Sequence, residues 1–201
     1  MESAAVELRL QQLIHARSFA PAAASIIQSY GAELHGFLVH LMGSEADAAE
    51  VFSQTAEDLW RGLPSFGLRC SVRTWLYVLG RHAAGRFRRA PWQRAGHTGE
   101  DQLDAVVAEV RTRTQPWQRT DVKDRWRTLR ESLDEDARTL LVLRLDRGLS
   151  WGEVALVTLG SEEPDPAALA RETARLRKRF QLLKDELRTR AREAGLLDEQ
   201  P

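Results

Sequence analysis

From Leu133 to Asp146, apolar residues recur at Leu133, Ala137, Leu140, Leu141 and Leu145, the spacing of a helix with one buried stripe. Gly148 ends that helix. Ser150, with Glu153 three positions later, forms a capping box, which predicts a short second helix from Trp151 that buries Val154, Ala155 and Leu159 and is closed by Gly160. Asp165 before Pro166 is an N-cap and first-turn pair for a third helix with room to run to about Glu193. On this helix Leu169, Leu176, Phe180, Leu183 and Leu187 share one stripe, and Ala168, Arg171, Arg175, Lys178 and Arg179 spread over the other side. The first set is suited to packing and the second to phosphate. Helix, tight turn, short helix, turn, basic helix is the order of a helix-turn-helix DNA reader.

Patterning in the N-terminal half is different. Val6, Leu10, Leu13 and Ile14 are spaced as one face of a helix that packs on the first domain. From Leu59 to Gly99 there is no Asp or Glu but there are eight arginines, with Phe66, Trp75, Tyr77, Phe87 and Trp92 interleaved. Such a segment suits backbone charge plus base stacking, although Trp75 and Leu76 read more readily as core. The formal neutrality of the chain, 29 basic against 29 acidic residues, therefore hides a polarised one. Residues 1–58 carry eight acids and two bases, and residues 100–170 fifteen and ten. Arg171 to Arg192 holds nine bases against three acids, an excess suited to counterion release from a nucleic-acid backbone. A solvated face on a bundle helix is the bland alternative, and the capped short helix just before it weighs against that.

Pro91, Gly96 and Gly99, then Pro116, mark breaks between the halves. Leu103, Val106, Val107 and Val110 predict a short amphipathic helix between them, either a loosely packed linker helix or a partner contact. Val122, Trp126, Leu129 and Leu133 open the second domain on one helical face. The expected architecture is all-α: two small helical domains, 1–90 and 120–201, joined by a linker over 91–119, the second a helix-turn-helix.

With 43% hydrophobic residues the chain has enough apolar material for compact helical cores. No apolar run approaches the ~18 residues of a membrane span, and Glu2, Glu7 and Arg9 do not make a secretory signal, so a cytoplasmic protein without membrane insertion is expected. The single Cys70 excludes an intrachain disulfide and reads as an unreactive thiol. His15, His35, His40, His82 and His97 make no metal pattern with it, and no metal or cofactor is expected. No paired-carboxylate, nucleophile–base or Gly-rich phosphate motif appears at usable spacing, so the chain does not read as an enzyme.

LDEDARTLLVLRLDRGLSWGEVALVTLG, from Leu133 to Gly160, resembles the promoter-reading C-terminal domain of bacterial RNA polymerase sigma factors of the extracytoplasmic-function type, and RLRKRF at Arg175 to Phe180 resembles the basic end of that family's recognition helix. Tyr30, Leu34 and Phe37, then ADAAEVFSQTAEDLW, then FGLRCSVRTWLYVLGRHAAGRFRR, resemble the polymerase-docking and promoter-melting domain of the same family. The resemblance implies a factor that binds core RNA polymerase, places it on promoter DNA and helps melt the duplex. An anti-sigma protein is a further partner it implies. By position it makes Glu50, Gln54 and Asp58 polymerase-docking candidates. Arg69, Ser71, Arg73, Arg81, His82, Arg86, Arg88 and Arg89 become candidates for the minus-ten strand, and Ala168, Arg171, Glu172, Arg175, Lys178 and Arg179 for the upstream minus-thirty-five element. The chain departs from the family at Val51, where an acid is usual, at His82, where Asn is usual, near Gly85 and Arg86, where an Asp is usual, and in GSEEPD, a longer turn before the last helix. A helix-turn-helix regulator, or a sigma-like adaptor that does not dock on polymerase, would share the DNA-reading half.

Overall fold

The computed structural model describes residues 2–89 and 132–193. Among these residues every regular element is helical, as the all-α expectation required. The break at 90–120, the amphipathic run Leu103 to Val110, and Trp92, Val122, Trp126 and Leu129 lie outside the described residues. Two compact units are distinguished: residues 1–115 with 156–165, and residues 116–155 with 166–201.

In the first unit, α1 (Glu2–His15) is followed by α2 (Phe19–Met42), α3 (Glu45–Gly62) and α4 (Val72–Arg89). Leu10 and Ile14 of α1 are buried, while Val6 and Leu13 are only half-buried. Along α2 the buried positions Ala22, Ala23, Ile26, Ile27, Tyr30, Leu34, Phe37, Leu38 and Leu41 recur every three or four residues, so this helix lies at the centre of the core. Gly43 ends it at φ 69°, and its N–H returns to the Val39 carbonyl. Ser44 then caps α3 by accepting the Asp47 N–H at 3.3 Å, with Glu45 and Asp47 in the first turn favourably placed against the helix dipole.

Each large apolar side chain buried here contributes about 1.5–3 kcal/mol, against ~0–1 for an exposed ion pair, so packing decides the fold and surface charge does not. Close approach is part of that packing. A Cβ on Gly80 would stand 2.9 Å from Leu34 Cδ1, so a larger residue there would have to displace the tip of Leu34 where α4 meets α2.

The second half holds α5 (Glu135–Leu141), which widens into a π-helical turn over Val142–Asp146, then α6 (Trp151–Leu159) and α7 (Pro166–Glu193). Four expectations are corrected. The first helix starts at Glu135 and not at Leu133, because Asp134 takes the N-cap and accepts the Ala137 N–H at 2.7 Å. Leu145 is 58% exposed: the Arg147 N–H bonds back to the Val142 carbonyl, and this wider winding rotates Leu145 off the stripe it would share with Leu141 in a regular helix. Leu159, the last residue of α6, is 38% exposed, whereas Val154, Ala155 and Val157 are fully buried. Leu169 and Leu187 are half-buried, leaving Leu176, Phe180 and Leu183 as the packed stripe of α7.

The turns match their sequence signals. Gly148 has φ 66°, and the Leu149 N–H reaches six residues back to the Leu143 carbonyl at 3.0 Å, closing the widened last turn. Both arms of the capping box are made: the Ser150 N–H donates to Glu153 Oε2 at 2.8 Å and the Glu153 N–H to Ser150 Oγ at 3.3 Å. Gly160 takes φ 65°, and α7 begins at Pro166. This helix order is compatible with a helix-turn-helix.

Candidate nucleic-acid interface

In the first unit the described part of the acid-free segment runs from the end of α3 through a 3-10 turn at Leu63–Ser65 and the loop 66–71 into α4. Among the described residues its aromatic side chains do not form the expected stacking surface. Phe66 and Trp75 lie face to face, ring centroids 4.0 Å apart and 6° from parallel, and both are buried. Tyr77 is wholly buried with its ring edge against Phe37, and Phe87 is half-buried. These rings shape the loop from below, so the expected base-stacking platform is largely core. For Trp75 and Leu76 the core reading holds.

The arginines divide into internal braces and an outer face. Arg73 grips Glu33 of α2 fork to fork, Nε to Oε1 at 2.6 Å and Nη2 to Oε2 at 3.0 Å. Arg88 donates to the Leu41 carbonyl at 2.5 Å, answering one of the last carbonyls of α2. Ser71 is the cap of α4: its Oγ accepts the Thr74 N–H at 3.0 Å and its hydroxyl donates to Thr74 Oγ1 at 2.8 Å. Arg86 pairs with Asp58 of α3. Arg69, His82, Arg86, Arg88 and Arg89 are exposed and Arg81 is half-buried, and His82, Arg86 and Arg89 follow one another on one side of α4. Three basic residues in the last turn also suit the negative end of the helix dipole.

Glu50, Gln54 and Asp58 repeat every four residues and are half-buried along one face of α3, opposite Val51, Phe52, Thr55 and Leu59. Val51 is 0% exposed, so an acid at this position would have to be buried in the core. The polymerase-docking candidate Asp58 and the strand-contact candidate Arg86 are partners in one ion pair. The sequence pattern did not indicate Glu7. Its Oε1 accepts the Val72 N–H at 2.6 Å and its Oε2 the Tyr30 hydroxyl at 3.4 Å. Burial, and then the Glu7 carboxylate, push the Tyr30 phenol above its usual range, so Tyr30 stays a proton donor. No local motif could announce a cap drawn from 65 residues away.

On α7, Arg171, Arg175 and Lys178 are exposed, whereas Ala168, Glu172 and Arg179 are half-buried. Arg175 is held bidentately by Glu172, Nε to Oε2 and Nη2 to Oε1 both at 2.7 Å, and this bond raises the guanidinium pKa further. Arg179 reaches the Asp134 carboxylate at 2.5 Å and so ties α7 to the cap of α5. Trp151 lies beneath the Arg144 guanidinium, 4.9 Å from ring centre, and edge-on to Phe180 at 5.3 Å. These contacts lock α6 against the packed stripe of α7 and leave its basic side outward.

Among the described residues no helix is long and apolar enough to cross a membrane, and no group of His, Cys, Asp and Glu could hold a metal ion.

α4 ends in three basic residues and packs beside α3, whose Glu50, Gln54 and Asp58 share one face. Residues 26–94, which begin inside α2 and run past the end of α4, match the family Sigma-70 region 2. The match supports a sigma-70 family factor, with a part in RNA polymerase binding and promoter melting. No curated protein matches the chain.

Proposed function

We propose that the chain is a sigma factor of the extracytoplasmic-function type that acts without catalysis of its own. Residues 1–90 bind core RNA polymerase through the Glu50, Gln54 and Asp58 face and receive the unpaired minus-ten strand. Residues 91–119 form the linker, and 120–201 read the upstream element through α7. The observation that carries this reading is the Sigma-70 region 2 match over residues 26–94, followed along the chain by a boxed short helix and a 28-residue basic helix. Two modules in this order suit a protein that holds a promoter at two points. The factor acts in the cytoplasm, and an anti-sigma protein is a further proposed partner.

For the minus-ten strand, the braced arginines Arg73 and Arg88 serve mainly as supports, and Arg69, Arg81, His82, Arg86 and Arg89 supply the charge. Phosphate contacts form as the strand separates, so these residues contribute to open-complex formation more than to polymerase binding.

Reconstitution tests the proposal. Mixed with bacterial core polymerase, the purified chain should co-elute with it and direct run-off transcription from a dependent promoter, while binding duplex promoter weakly on its own. Tight, sequence-specific duplex binding by the chain alone, with no polymerase association, would establish a helix-turn-helix regulator instead.

A further inference from the structure

Glu7 is on α1, outside the residues that match Sigma-70 region 2, yet its carboxylate is at the start of the helix that carries the strand-contact arginines. The carboxylate is held from three sides. Oε1 accepts the Val72 N–H at 2.6 Å and the Gln11 side-chain N–H at 3.3 Å, and Oε2 accepts the Tyr30 hydroxyl at 3.4 Å. A helix begins with four N–H groups that have no partner within it. Ser71 answers the Thr74 N–H and Glu7 answers the Val72 N–H, so α4 is capped by its own loop and by a distant helix together.

The anchorage of α1 is firm. Leu10 and Ile14 are 1% and 7% exposed, so moving Glu7 away means withdrawing both from the core. The loop that Glu7 closes is itself constrained. Leu68 takes φ 54°, a left-handed conformation costly for a bulky residue, and it persists only where the surroundings enforce it. On one side the Phe66–Trp75 stack holds this loop, and on the other the Glu7 and Ser71 caps. At the second residue of α4, the Arg73–Glu33 pair continues the same line of attachment.

We propose that Glu7 is a positioning residue for minus-ten strand capture: by capping Val72 it fixes the loop 66–71 and the start of α4, making α1 a working part of the strand-binding site. This rests on the sigma-factor reading. Glu7 does not touch DNA; it sets where Arg69 and the outer face of α4 meet the strand.

The test uses the full chain assembled with core polymerase, comparing wild type, Glu7→Ala, Glu7→Gln and Tyr30→Phe. The probes are single-stranded minus-ten oligonucleotides differing at one base each, together with permanganate reactivity on a duplex promoter. Glu7→Ala should co-elute with polymerase as wild type does, lose about tenfold in oligonucleotide affinity and flatten the base preference. Glu7→Gln keeps a carbonyl acceptor for the Val72 N–H and should recover most of both. Tyr30→Phe leaves the cap in place and should match wild type. If Glu7→Ala lowers only the melting temperature, with affinity and base preference intact, the inference is overturned. Should Glu7→Ala not fold, Glu7→Asp decides, since its carboxylate is one methylene short of Val72: a similar loss supports the proposal, and wild-type binding overturns it. If the wild-type assembly itself captures no strand, the sigma-factor reading fails, and the inference with it.

Discussion

Arg73 and Glu33 face each other across α4 and α2 with two parallel hydrogen bonds, 2.6 and 3.0 Å, and with only 21% and 24% of their side chains exposed. An arginine that reads as a nucleic-acid contact in the sequence is thus a brace between helices. Arg73→Ala should destabilise the fold by about 1–3 kcal/mol, because Glu33 is left half-buried without its partner. Arg89→Ala, on the exposed face, should change stability by less than about 0.5 kcal/mol and weaken strand capture instead. Urea denaturation separates the two, and permanganate footprinting reads the second effect.

The Phe66–Trp75 stack makes a different prediction. Both rings are buried, so Phe66→Ala should cost about 3–5 kcal/mol, and Phe66→Leu clearly less. A base-stacking role for Phe66 would give the opposite pattern, with wild-type thermal stability and reduced binding of a single strand. Differential scanning calorimetry beside oligonucleotide titration distinguishes them.

At the start of α6 both arms of the capping box are formed, and the short helix depends on them more than a long helix would. Ser150→Ala should cost about 0.5–2 kcal/mol, with Ser150→Asp close to neutral. The loss is measured as a lower unfolding midpoint by circular dichroism. If α6 supports the reading helix as proposed, use of the upstream element should fall with it.

Arg175 is clamped by Glu172, and the clamp bears on how α7 meets DNA. Glu172→Ala removes a negative charge from the proposed DNA face and releases the guanidinium. If Arg175 meets a phosphate, the variant should bind duplex more tightly at low salt and steepen the salt dependence by about one counterion. If Glu172 instead orients Arg175 for a bidentate guanine contact, the variant should lose discrimination at one base position. Affinities measured across a salt series and a set of promoter variants report which.

GSEEPD closes back on itself through the Glu163 N–H and Ser161 Oγ, 3.2 Å apart, before α7 begins. Deleting Glu162 to Pro164 should change the preferred upstream sequence while leaving helix content intact. An unaltered promoter profile, with Arg171→Ala and Arg175→Ala also behaving as wild type, would remove α7 from the upstream contact.

The helices of the second half were legible because each is bounded by local chemistry: Gly148 and Gly160 at left-handed positions, Ser150 with Glu153, Asp165 before Pro166. Such signals act over three or four residues and survive in the chain as a string of letters. The exact start of α5 and the exposure of Leu145 were not legible. Asp134 competes for the cap, and a π turn, which no residue type announces, shifts the stripe.

In the first half, composition alone marked a segment rich in arginine and aromatic side chains and free of acid. Which arginines face outward was decided only by the fold. Glu33 lies 40 residues from Arg73, and the Leu41 carbonyl 47 from Arg88, so those pairs exist only once α2 and α4 have packed. Phe66, Trp75 and Tyr77 were withdrawn into the core for the same reason: hydrophobic burial is non-directional in sequence and is assigned by whichever surfaces meet. The cap that Glu7 places on Val72 is the extreme case, a hydrogen bond whose partners are made neighbours by tertiary packing alone.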